Sequence, residues 1–182
     1  MTLTLTETQN RLQKTNFEAL PKPRKNKGVR GQLLELALGI PNSSKLTDLV
    51  DGELKSFTKG ESVAVTQLRH TLTEVFNKTP FNNSNLGIKI SRTLYVAFDR
   101  QNNFLGTATH TKTNKLIEQD YNDICEFVRS AETLHTFTGL NKILQIRTKD
   151  SKPYHPIIWE GKQISNKGFA FYLTGRYAKG II

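Results

Sequence analysis

Asp48-Leu49-Val50-Asp51-Gly52-Glu53-Leu54-Lys55 gathers three carboxylates and one lysine into eight residues. The Glu53-Leu54-Lys55 end has the period of a strand, in which residues i and i+2 point to the same side. A carboxylate and an ammonium then project side by side from one rigid element. Asp48 or Asp51 can bring a second carboxylate to the same point. Two carboxylates can hold Mg²⁺, and a lysine beside the metal can position or polarise a water. That is the minimal equipment for hydrolysing a phosphodiester. The plain alternative is a solvated turn followed by an edge strand whose lysine discourages pairing.

Upstream, Lys27-Gly-Val-Arg-Gly-Gln-Leu-Leu-Glu35-Leu-Ala-Leu-Gly39 favours helix, with Gly39 as its C-terminal cap. Its periodicity puts Val29, Leu33, Leu36 and Ala37 on one face. Glu35 falls within this apolar segment, where a carboxylate is costly unless it is paired, holds a metal or rolls to the surface. The spacing predicts a short helix within residues 7–20 and a basic, proline-stiffened connector from Pro21 to Lys27. Residues 1–26 thus form a lead-in to a single domain over 27–182.

Downstream, Val65, Leu68, Leu72, Val75 and Phe76 recur at helical spacing and predict a helix over 63–77. A turn-rich loop follows from Asn77 to Asn85. Residues 88–98 are β-prone, with Lys89 and Arg92 inserted among apolar neighbours. Residues 115–129 read as a helix burying Ile117, Tyr121, Ile124 and Val128. Strands are expected over 142–149 and 167–173, with a proline- and aromatic-rich loop from Pro153 to Trp159 between them. Helices mixed with strands point to an α/β or α+β fold around a mixed sheet.

The 182 residues suffice for one domain with a proper core. At 36% apolar and 23% charged, the chain is globular rather than disordered. Lys+Arg outnumber Asp+Glu by 26 to 16, giving a net charge of +10. An excess of that size favours a polyanionic partner, most simply nucleic acid. The single cysteine, Cys125, cannot form an internal disulfide and reads as a core thiol beside Ile124, Phe127 and Val128. The four histidines are scattered and fall in no metal-ligand spacing. With neither a signal peptide nor an apolar run long enough to span a bilayer, the sequence reads as that of an intracellular, cytoplasmic protein with no membrane partner.

Several separated segments resemble one family, the MutH-type endonucleases. Residues 27–39 resemble its helix pattern K-G-x-x-G-x-L-L-E-x-x-L-G. Asp48 through Lys55 is similar to its D…G-x-E-L-K hairpin. Lys89-Ile-Ser-Arg92-Thr-Leu-Tyr-Val96 resembles its K-L-K-R-V-L-W-I segment. Leu144-Gln-Ile-Arg147-Thr-Lys149 resembles L-Q-I-R-P-K, and Gly168-Phe-Ala-Phe-Tyr172-Leu173 resembles R-G-F-Y-L. The order holds from residue 27 to 173, most of the chain. Two departures stand out. Five positions separate Asp48 from Glu53, fewer than in the family, and Gly52 directly precedes Glu53 instead of standing two before it. Asp48 and Asp51 therefore compete as the first metal ligand. Asp48 is favoured because it leaves a turn through Val50–Gly52 before the strand.

The resemblance implies a restriction-endonuclease-like fold, a central mixed β-sheet flanked by helices. It implies Mg²⁺-dependent hydrolysis of double-stranded DNA, leaving a 5′-phosphate. In that frame Asp48 and Glu53 hold the metal and Lys55 orients the water. Glu35 and Lys89 complete the catalytic set. Arg147 and Tyr172 match positions associated with base recognition, an arginine being suited to a bidentate contact with guanine. Lys149, Arg176 and Lys179 are expected on phosphates. The implied protein is a type II restriction enzyme with a short GATC-like site, a homodimer on DNA and a cognate methyltransferase. A MutH-like nickase of hemimethylated DNA and a non-catalytic DNA-binding module are the alternatives.

Overall fold

β-branched and aromatic runs separated by turn chemistry give a mixed α+β architecture. The computed structural model describes residues 3–23, 27–42, 44–110, 114–150, 152–153 and 155–182. Helices α1 (Leu5–Lys14) and α2 (Lys27–Leu38) lead into strands β1 (Glu53–Thr58) and β2 (Val63–Gln67). Helices α3 (Leu72–Phe76) and α4 (Asn85–Ser91) precede β3 (Thr93–Phe98) and β4 (Phe104–His110). Then come α5 (Lys115–Ser130), β5 (Phe137–Thr138), β6 (Leu144–Thr148), β7 (Ile157–Trp159), β8 (Lys162–Ser165), β9 (Phe169–Leu173) and α6 (Gly175–Ala178).

The strands divide among three sheets, ordered β1-β3-β4, β2-β9-β6-β5 and β7-β8. The first is mixed, with β1 parallel and β4 antiparallel to β3. A parallel pair requires a crossover, and here β2, α3 and α4 supply it. All six residues of β3 are buried, as expected of a strand covered on both faces. Its alternation divides two cores. Leu94, Val96 and Phe98 join Leu5, Leu12, Leu34 and Leu38 under α1 and α2. Tyr95 and Ala97 face the larger core, which contains Ile117, Tyr121, Ile124 and Val128 of α5. Burying each large aliphatic side chain contributes about 1.5–3 kcal/mol.

Several expectations need correction. Residues 63–77 are not one helix. Val63 and Val65 belong to β2, which pairs with β9, and only Leu72–Phe76 are α-helical. All of Val65, Leu68, Leu72 and Val75 are buried, so the helical spacing registered burial but not conformation. The β-branched Val63, Val65 and Thr66 decide for the strand. Residues 88–98 are likewise split. The Ser84 side chain caps α4 by accepting the Gly87 N–H, so Lys89 stands on a helix and the strand starts only at Thr93. On α2 the buried face is Arg30, Leu34 and Leu38, and Leu36 is 76% exposed. Its apolar residues, Val29, Leu33, Leu34, Leu36, Ala37 and Leu38, spread over too wide an arc for periodicity alone to choose the buried face. Near the N-terminus the helix covers Leu5–Lys14, earlier and shorter than expected, with a capping box between Thr4 and Glu7. Leu3, Leu5 and Leu12 of the expected lead-in pack into the second core. Residues 24–26 of the basic connector and Tyr154 of the 153–159 loop lie outside the described residues. That loop carries β7, the first strand of a hairpin. Helix 115–130 and strands β6 and β9 form where expected, and Cys125 is buried. Burial pushes its thiol up to about 12, as befits an inert core group.

One buried carboxylate holds the larger core to the sheet. Asp120 on α5 is 0% exposed and accepts the N–H groups of Asn141, Ile143 and Leu144 at 2.7, 2.7 and 2.9 Å. Gly139 is required alongside, because a Cβ there would run into the Asp120 carboxylate. Asp120→Ala would strand these donors, at a cost of about 3 kcal/mol or more. Thermal denaturation should show Tm falling by roughly 6–12 °C. A drop of only ~1 °C would show that the carboxylate is dispensable to the fold.

Candidate active site

The site is assembled where the turn before β1 meets α2 and α4. Gly52 allows this meeting, since a Cβ would come within 2.7 Å of the Arg92 carbonyl. That carbonyl accepts the Glu53 N–H at 2.8 Å, so β1 starts directly beside the start of β3. Glu53 is 1% exposed. Its Oε1 receives Lys55 Nζ at 2.6 Å and Lys89 Nζ at 3.2 Å. Lys55 arrives from the same strand face, and Lys89 from the last turn of α4 rather than from a strand. Asp48 is tied to the start of β1 by two hydrogen bonds. The Asp48 N–H donates to Glu53 Oε2 at 3.4 Å, and the Leu54 N–H donates to Asp48 Oδ2 at 3.3 Å.

Asp51 points elsewhere. It accepts the Leu5 N–H at the start of α1 at 2.7 Å, and its other oxygen lies 3.5 Å from the Arg92 guanidinium. Asp48 is therefore the aspartate that stands with Glu53.

Glu35 approaches from α2. Burial raises its pKa first, and the Asp48 and Glu53 carboxylates raise it further against the pull of Lys55. Asp48 is raised in the same way, by burial and then by Glu53. Burial disfavours the Lys55 ammonium, but Glu53, with Asp48 and Glu35, more than offsets this and holds its pKa above the ordinary lysine value. Three mutually repelling carboxylates against two lysines leave the cluster one negative charge in excess. That donor chemistry fits a hard cation, because Mg²⁺ binds through one or two carboxylates completed by waters and substrate phosphates. Among the described residues, no three His, Cys, Asp or Glu side chains are grouped to hold a metal unaided.

Glu35 and Lys55 line a cleft of about 740 Å³ between α2, β1, β2, β6 and β9. Arg147, Lys149 and Tyr172 line the same cleft. The Arg147 guanidinium stacks 4.3 Å from the centre of the Tyr172 ring, a cation–π contact that fixes its direction. Lys149 is exposed at the rim. Partial desolvation and then the Lys55 charge hold its ammonium below the ordinary value. Arg176 and Lys179 are not brought to this wall. Arg176 lines a separate pocket with His110 and Tyr177, and Lys179 packs beside Gly60 in the β1–β2 turn.

Arg30 was invisible in the sequence, where an arginine between glycines reads as solvated surface. It is 8% exposed and also lines the cleft. It donates to Thr58 at 3.1 Å and Asn102 at 3.2 Å, and lies 4.8 Å over the Phe98 ring. It thereby pins α2, which carries Glu35, to β1, which carries Lys55.

Searches of family models and of curated proteins return no match to this chain. No helix among the described residues is long and apolar enough to cross a membrane.

Proposed function

We propose that this chain is a Mg²⁺-dependent, sequence-specific DNA endonuclease of the MutH type with a restriction-endonuclease-like fold. The observation that carries the reading is the convergence of Glu35, Asp48, Glu53, Lys55 and Lys89. They come from α2, the turn before β1, β1 itself and α4, and they meet beside a cleft lined by Arg147 and Tyr172. The sequence resemblance nominated these residues separately.

Asp48 and Glu53 would hold Mg²⁺, which when bound supplies charge neutralisation at the phosphate and an activated water. Glu35 would accept hydrogen bonds from that water shell. Lys55, held as an ammonium by Glu53, would orient the attacking water and face the charge developing on the phosphate. Lys89 keeps the Glu53 carboxylate in place from the other side. Arg147, steered by Tyr172, would present its guanidinium to a guanine edge, and Lys149 would take a phosphate. The net charge of +10 adds non-specific attraction to DNA.

The reading favours a type II restriction enzyme with a short GATC-like palindrome, acting as a homodimer alongside a methyltransferase of the same site. The test is incubation with unmethylated supercoiled plasmid, with Mg²⁺ or with EDTA. Discrete Mg²⁺-dependent linear fragments are expected, with 5′-phosphate ends. Open circles alone would indicate a nickase. Binding without any product, on methylated or unmethylated plasmid, would leave a DNA-binding module and overturn the enzyme reading.

A further inference from the structure

Beyond the cleft, α4 connects the candidate active site to a second group of basic side chains that the proposed mechanism does not use. Asn85 and Lys89 are one turn apart on this helix and so share a face. Lys89 reaches Glu53. Asn85 donates its side-chain amide to the His70 carbonyl at 3.4 Å, and its backbone N–H to the Glu74 carboxylate at 3.0 Å. His70 and its neighbour Arg69 are thereby tied to the element that carries Lys89. Arg69 meets His155 at 3.1 Å, guanidinium to Nδ1. A guanidinium can only donate, so Nδ1 accepts and the imidazole proton resides on Nε2. The free edge of His155 is then a donor. Partial burial first, and then the Arg69 and Lys89 charges, hold the His70 imidazole below its ordinary value.

We infer that Arg69, His70 and His155 form a phosphate-binding shelf that grips the DNA backbone next to the scissile position. The inference rests on the endonuclease reading and names a contact outside the recognition wall. Arg69 and His70 are exposed, and His155 is partly so. Arg69 is an exposed cation, and a polyanion would neutralise its charge. The shelf also offers donors of the type that phosphates take, the Arg69 guanidinium and imidazole N–H groups. Its attachment through α4 makes the contact directional. A strand held at the shelf is held at a fixed offset from Lys89 and Glu53, so the shelf sets which phosphate enters the site.

The experiment is fluorescence anisotropy of the full chain on a labelled duplex in EDTA, over a series of salt concentrations. Each phosphate contact contributes ~0.9 to the slope of log K against log salt. Arg69→Ala with His155→Ala should reduce the magnitude of the slope by ~1 and weaken binding at every salt concentration. Arg69→Lys should restore part of it, because charge survives where the fork geometry does not. Lys14→Ala, on α1 away from the shelf, should leave the slope at the wild-type value. If the double variant does not fold, Arg69→Gln alone should still reduce the slope by ~1. A wild type with a steep slope beside shelf variants of identical slope would overturn the shelf alone. A wild type that does not bind DNA would overturn the endonuclease reading, and the shelf with it.

Discussion

Lys55→Ala is expected to lower Mg²⁺-dependent plasmid cleavage by ~10²–10³-fold or more, the scale of losing one preorganised donor to a developing oxyanion. DNA binding in EDTA should stay within a few-fold of wild type. The split between the two readouts follows from the geometry. Lys55 lines the cleft floor and bonds to Glu53 at 2.6 Å. The candidate binding residues Arg147, Lys149 and Tyr172 belong to other strands. Removing one partner of a buried ion pair usually destabilises by 3–5 kcal/mol, because it leaves a charge without compensation. Here Lys89 remains on the same Glu53 oxygen at 3.2 Å, so the variant should fold with only a modest loss of Tm. Lys55→Arg gives a second reading of the same point. It keeps the charge but not the compact ammonium, and should remain severely impaired. The sign of the Lys55 shift also bears on mechanism. Its pKa is raised, so the side chain stays protonated through the neutral range and acts as a cation and donor rather than as a base. A rate profile through neutral pH should therefore show no ionisation that disappears in Lys55→Ala. Near-normal cleavage by that variant would remove Lys55 from the chemistry.

Much of this site was legible because its logic is local. Glu53 and Lys55 share a face by strand period, and β1 forms where that period requires it. Glu35 was conspicuous as a carboxylate in an apolar helix. The α5 stripe was equally legible, since its apolar residues have one face to occupy. What could not be read were features decided by distant partners. Val63 and Val65 are in a strand because β9 is there to pair with them. Leu36 is exposed because Leu34 and Leu38 fit the core under β3 better. Lys89 drew attention as a cation among apolar neighbours, a signal that did not depend on whether its segment was strand or helix. The residue was therefore identifiable while its element was not. Arg30 left no signal at all, because its role depends on Phe98, Thr58 and Asn102, which only the fold brings to it.

The choice between the two aspartates carries the second large effect. Asp48→Ala should reduce cleavage by more than about a hundredfold, beyond the 10–100-fold typical of groups that only orient metal ligands. It should also shift the Mg²⁺ requirement to higher concentration. Asp51→Ala should cleave within about threefold of wild type and lose stability instead. The residues differ in what each carboxylate already holds. Asp51 accepts the first helical N–H of α1 and lies beside Arg92, so it ties the helix start to the turn, and a hydrogen bond to a charged group is worth about 1.5–3 kcal/mol. Asp48 faces Glu53 and Glu35, and its charge is disfavoured there until a cation arrives. Asp48→Asn separates charge from position. The amide oxygen can still accept the Leu54 N–H, so the turn keeps its shape, but the negative charge is gone. If that variant is as inactive as Asp48→Ala while its Tm is normal, the charge is what the site needs. If Asp51→Ala is instead the inactive protein and Asp48→Ala cleaves normally, the pairing of Asp48 with Glu53 is not the metal site, and the assignment of both carboxylates fails together.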